Sequence, residues 1–193
     1  SNDPALRPLF ATNPSIEADF RPTSAYSADT KADLLVLDRF APATPPAVDT
    51  IFINPPASGS PIAIKSTATK TPLERWSNDT ALGAGIYTRD VVLDSAEIFA
   101  PQPTDKVIAS TQAGPIVVAR EGAAKYLAIG FVPTAGAMKF ELATPLLIAN
   151  ALRWMSPGTY GRLELTAGSV GAITVPIDAA TDPASVHVLD ELS

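Results

Sequence analysis

Five residues stand where a site could form. Asp38 and Arg39 lie at the end of the apolar run 32–38 (ADLLVLD), and Asn54, Ser58 and Ser60 lie at and beyond the end of the run 49–54 (DTIFIN). Both runs are apolar throughout and bounded by polar residues, the pattern of central parallel strands, and open α/β sheets bind ligands beyond the carboxyl ends of such strands. The chemistry open to these residues is binding of a small polar ligand or attack by a serine. A serine nucleophile needs a positioned base. The chain has one histidine, His187, which falls in the C-terminal tail, and no cysteine. Ser58 and Ser60 therefore read as loop serines, and Asp38 as a strand-end carboxylate that caps a turn or pairs with Arg39 or Lys31. Gly83-Ala84-Gly85 has neither a strand before it nor a helix after it, so a phosphate loop is not expected. Asp90 and Asp94 read as solvated carboxylates. No cofactor and no metal is expected.

Composition narrows the classes further. At 193 residues the chain is one domain, or one domain with a small appendage. A formal net charge of -6 with 14 Lys+Arg argues against a nucleic-acid surface, whose affinity rests on neutralising phosphates. Without cysteine there are no disulfides and no thiolate metal sites. The 19 prolines fall at strand ends and loops, notably Pro45-Pro46 and Pro55-Pro56, and so act as turn chemistry. Ser1-Asn2 reads as a tag remnant, with the chain a piece of a longer protein.

The elements that position these residues are short. A weak helical pattern over residues 4–20 breaks at Asn13-Pro14. A doubly wound domain opens on a strand, so a first strand is expected outside these residues or later in the chain. Residues 61–64 suit a short strand, 71–82 a loop or helical turn around Leu73 and Trp76, and 87–99 a half-exposed extended segment. Residues 106–110 are a further strand. Residues 114–120, the turn Glu121-Gly122 and residues 124–131 form the clearest hairpin, which makes the sheet mixed. Residues 144–155 predict a mostly buried helix of about three turns. Thr144 is its expected N-cap, Pro145 its first residue, Asn150 and Arg153 its polar stripe, and Pro157-Gly158 its stop. That length falls short of the roughly 20 apolar residues of a membrane span. Trp76 and Trp154 read as core or cover residues. After residue 158 the pattern turns to short alternating segments, so the division is an α/β domain over 1–158 and a β-rich segment over 159–193.

Four motifs then carry a resemblance. LLVLDRFAP (34–42), IFINPPA (51–57), GPIVVAREGAAKYLAIGF (114–131) and PLLIANALRWMSP (145–157) occur in the same order in bacterial von Willebrand A-domain membrane proteins of the aerotolerance type. The part resembled, residues 3 to 158, is the region after the A domain, which is similar to class I glutamine amidotransferases. The resemblance implies an α/β, flavodoxin-like three-layer fold, a β domain afterwards, and membrane tethering by segments elsewhere that leaves this region extracytoplasmic. It implies no established activity. A working amidotransferase needs a cysteine on the strand-to-helix elbow, and here the sequence is Asn54-Pro55-Pro56-Ala57-Ser58-Gly59-Ser60. The expectation is a non-catalytic interaction or spacer domain with protein partners or other domains of its own chain. The alternative is a ligand-binding or cryptically hydrolytic domain at the strand ends.

Overall fold

The computed structural model describes residues 3–11 and 16–157. The domain boundary near residue 158, the β-rich tail and His187 lie outside the described residues.

Alternation sorts the buried residues into two faces of one sheet. Seven strands take the order β1-β2-β7-β6-β5-β3-β4, where β1 is Leu34–Asp38, β2 Asp49–Ile53, β3 Ile64–Trp76, β4 Val92–Phe99, β5 Lys106–Thr111, β6 Gly114–Arg120 and β7 Tyr126–Ile129. β1, β2 and β7 run parallel, with Asp38 opposite Ile53 at one junction and Ile53 opposite Ile129 at the next. The remaining pairings are antiparallel, including the β6–β7 hairpin that joins Val117 to Ile129. The fold is α/β with a mixed sheet, as expected.

Along β2, β6 and β7 the odd-numbered residues Ile51, Ile53, Val117, Ala119, Leu127 and Ile129 enter the main core, while Val118 and Ala128 enter a smaller one with Ile62 and Phe99. Helices α1 (Arg7–Ala11) and α2 (Ala143–Met155) contribute Phe10, Leu147, Ile148 and Ala151 to the main core, so both pack on one face. The other face takes its cover from Ile62 in the β2–β3 loop and Phe99 at the end of β4. Each fully buried side chain of this size contributes about 1.5–3 kcal/mol.

Three local expectations are corrected. Residues 71–76 are not a loop: β3 runs through them, pairing with β4 as far as Pro72 and with β5 from Leu73. Proline lacks an N–H, and Pro72 sits where the ladder passes from one partner to the other, so the missing donor is tolerated. Thr144 is not the N-cap, because α2 begins at Ala143 and Leu142 occupies the cap with helical φ −62 and ψ −18. Pro145 is then the third helical residue, still among those whose N–H has no partner within the helix. Asn150 is not on an exposed stripe: it is buried, and its Nδ2 donates to the carbonyls of Leu82 at 3.2 Å and Ala84 at 2.9 Å. Trp76 is in the core, with Nε1 donating to Thr88 Oγ1 at 3.0 Å. Trp154 is half-buried beneath the Lys125 ammonium.

Candidate functional site at the strand ends

A parallel strand that stops must turn its backbone away, and here two neighbouring strands do so in the same manner. Arg39 follows β1 at φ 50 and Asn54 follows β2 at φ 45, both in the left-handed region. Arg39 N donates to Ile53 O at 2.7 Å and Asn54 N donates to Ile129 O at 2.6 Å, so each ladder gains one more rung before the chain leaves the sheet. Asparagine accepts this conformation readily, whereas arginine is strained there and needs compensation. The compensation is Asp38. Arg39 Nε and Nη2 donate to Asp38 Oδ1 at 3.1 Å and Oδ2 at 3.0 Å, a bidentate fork. The carboxylate is 2% exposed and the guanidinium 51% exposed, so the pair turns its cation outward. The Asp38 hydrogen bond holds the Arg39 pKa above its ordinary value.

The β2 end forms an elbow without a helix after it. Residues 57–59 make a turn, Ser58 is exposed, and Ser60 Oγ donates to Ile62 O at 2.6 Å. Gly59 takes φ +92, and a Cβ there would stand 2.7 Å from Pro42 O. The Pro-rich loop after β2 thus lies directly against the Pro-rich loop after β1. Tyr126 ties down the loop after β1, its hydroxyl donating to Pro46 O at 2.6 Å, and burial raises its pKa. The chain leaving β7 forms a 3-10 turn, Gly136–Phe140, ahead of α2. It exposes Phe140 and Leu142 at 84% and 79%.

The five residues singled out in the sequence do not converge on one cavity. Asp38 borders a cleft of about 880 Å³ along β1, which also includes Leu6, Phe10, Phe20, Tyr26 and Leu152. Asn54 borders a separate cavity of about 140 Å³ with Asp94, Phe131 and Gly136. Arg39, Ser58 and Ser60 line neither. Asp94, read as solvated, is exposed and pairs with Lys70. Among the described residues no three of His, Cys, Asp and Glu gather into a group able to hold a metal ion.

Sequence reasoning missed the aromatic rim of the larger cleft, where the Tyr26 and Phe40 rings meet at a tilt of 59° with 5.3 Å between centroids. It also missed the Asp105–Arg120 ion pair. Their residues lie apart in sequence with no helical or strand period linking them, so no local signal marked them.

No family model and no curated protein matches the chain. A solved structure of a cytoplasmic protein from Salmonella typhimurium is similar to this chain at 11% identity and a TM-score of 0.49, over 63% of this chain and 71% of that one. Among the described residues no helix is long and apolar enough to cross a membrane.

Proposed function

We propose that this α/β domain is a non-catalytic interaction module of a membrane-anchored bacterial protein, working on the extracytoplasmic side. In this reading the domain is flavodoxin-like and derives from the amidotransferase-like region of the aerotolerance-type von Willebrand A-domain proteins. The ordered motifs at 34–42, 51–57, 114–131 and 145–157 support that descent. The carrying observation is at the β2 elbow. The left-handed position where such a fold would place its nucleophile holds the amide of Asn54, followed by Pro55-Pro56 and by a loop braced on Pro42. On this reading the elbow has lost its chemistry, and what the strand ends offer is surface. Braced Pro-rich loops lose little entropy on docking. Phe140 and Leu142, on the third strand-end connection, add exposed apolar area of the kind that marks protein contacts.

The test has two arms. Glutamine, ester and amide substrates should show no turnover above background, and a turnover abolished by Ser58→Ala or Ser60→Ala would overturn the reading. In the second arm the chain is bait against the envelope extract of the parent organism, beside a Phe140→Asp/Leu142→Asp variant and charge substitutions in 42–48 and 54–61. Partners captured by the wild-type chain should be lost from these variants.

A second reading, a small-ligand-binding or cryptic hydrolase domain, has the β1 cleft in its favour. Its volume falls within the roughly 300–1,000 Å³ of ligand pockets, and the Asp38 carboxylate borders it. Native mass spectrometry of the purified chain should show a bound small molecule if that reading holds.

A further inference from the structure

The outward face of α2 is not built to meet water. At 3.6 residues per turn Leu142, Pro145, Leu146, Ala149 and Arg153 fall within an arc of about 100°, and all five are exposed. On the opposite side Ala143, Leu147, Ile148, Ala151 and Met155 enter the main core. A helix on the outside of a domain ordinarily keeps its outer arc polar. Here the arc is apolar for two turns, with Leu142 79% and Leu146 39% exposed, and its first charge is Arg153. Phe140, 84% exposed, extends the apolar surface ahead of the helix. Contiguous apolar surface of this kind marks a contact with another protein surface.

We propose that the face is covered by α2 of a second copy of this chain, packed antiparallel about a two-fold axis between Leu147 and Ile148. The inference rests on the interaction reading above and names its partner. Size and charge both select a copy in this arrangement. The axis sets Leu146 of each copy beside Ala149 of the other, a large side chain against a small one that lets the helices approach. It sets Leu142 of each copy against the aliphatic stem of the other's Arg153. Glu141 stands just before the helix and Arg153 in its last turn, and among the described residues neither side chain has an ion pair. Antiparallel pairing brings the Glu141 carboxylate of each copy to the Arg153 guanidinium of the other, at both ends of the contact. The helix dipoles then oppose, so the positive end of each lies by the negative end of the other. Parallel pairing would instead set Arg153 beside Arg153 and Glu141 beside Glu141. A two-fold contact is closed and adds no third copy. With one helix of 13 residues from each copy the contact is small, so the dimer is weak and forms reversibly with concentration.

The experiment uses the whole chain, which has no cysteine of its own. In sedimentation velocity over a concentration series the wild-type chain should dimerise. Glu141→Lys and Arg153→Glu should each weaken association about tenfold, because like charges then meet at both ends. Mixing the two should restore it, since both ends then hold opposite charges. Ala149→Cys should give a disulfide-linked dimer under mild oxidation, because the two copies of residue 149 are offset by only about 4–5 Å along the helices. Leu142→Cys, offset from its counterpart by about 16 Å, should cross-link about tenfold more slowly. Maleimide labelling of the Ala149→Cys protein should be fast when dilute and slow when concentrated. Circular dichroism checks that the charge variants fold, and the cysteine arm stands if they do not. A wild-type chain that stays monomeric throughout the series would overturn the proposal. So would equal cross-linking at positions 142 and 149, or folded charge variants whose mixture associates no better than either alone. Slow labelling at every dilution would assign the face to residues of the same chain and overturn it too. A monomer whose envelope partners are lost from the Phe140→Asp/Leu142→Asp variant would overturn the dimer and leave the interaction reading in place. A monomer that captures nothing would remove both.

Discussion

Arg120 grips both carboxylate oxygens of Asp105, with Nε to Oδ1 at 2.7 Å and Nη2 to Oδ2 at 2.8 Å, while its Nη1 donates to Pro61 O at 2.5 Å. One side chain therefore fastens the turn before β5 to β6 and to the loop after β2. The Asp105 side chain is 0% exposed and that of Arg120 24% exposed. The hydrogen bond from Arg120 holds the Asp105 carboxyl below its usual range.

Asp105→Asn should cost about 3 kcal/mol at neutral pH, the low end for removing one partner of a buried pair, since Arg120 keeps some contact with water. The sign of the pH dependence follows from the lowered pKa. The carboxylate's contribution is fully present above its unfolded pKa of about 3.9 and is lost as pH falls through the lower folded value. Urea titrations of the two proteins should show a constant gap above about pH 5 that narrows in stronger acid. A gap that ignores pH would mean the ion pair contributes nothing to folding.

Thr144 Oγ1 lies 2.8 Å from Met138 O and 3.0 Å from Pro133 O, and the residue is buried. Its hydroxyl joins the first turn of α2 to the connection leaving β7. Thr144→Val keeps the shape and removes the donor, so a loss of about 1–3 kcal/mol is expected by denaturant titration. A near-neutral result would show that the two carbonyls find water instead.

Gly130 directly follows β7 and lies against two other strands. Glu97 N donates to its carbonyl at 2.6 Å and its own N–H donates to Ile116 O at 2.7 Å. A Cβ here would stand 2.3 Å from Glu97 O and 3.1 Å from Ile116 O, both backbone atoms that do not yield easily. Gly130→Ala should lose about 3 kcal/mol or more, or fail to give soluble protein. A variant as stable as the parent would show that β4 shifts away from this point without loss.

Leu152 is 7% exposed on α2 and belongs to the main core. Leu152→Ala should lose about 2–5 kcal/mol. A loss under about half a kilocalorie would remove Leu152 from the core, since the lost side chain would then carry almost none of its transfer energy.

The sequence by itself determined the elements whose evidence is local. Residues 32–38 and 49–54 are apolar runs between polar ends, and they are β1 and β2. Strand-length runs around Glu121-Gly122 became the β6–β7 hairpin, because a short connection leaves antiparallel pairing as the close partner. The apolar stretch after Pro145 is α2. The Asp38–Arg39 pair was legible too, since its partners are neighbours in the chain. What only the tertiary structure decided were relations between distant residues. β3 continues through Pro72 because the sheet hands it from β4 to β5 at that point, which a local reading of a proline takes for a turn. Asn150 looks polar and exposed by helical period, yet it is buried because the carbonyls of Leu82 and Ala84 arrive to receive its amide. The five candidate residues share a strand-end position in sequence, but Asp38 and Asn54 border different cavities and Arg39, Ser58 and Ser60 border neither. Periodicity reports which face of its own element a residue occupies, and it has no information about which element the sheet order brings to meet that face.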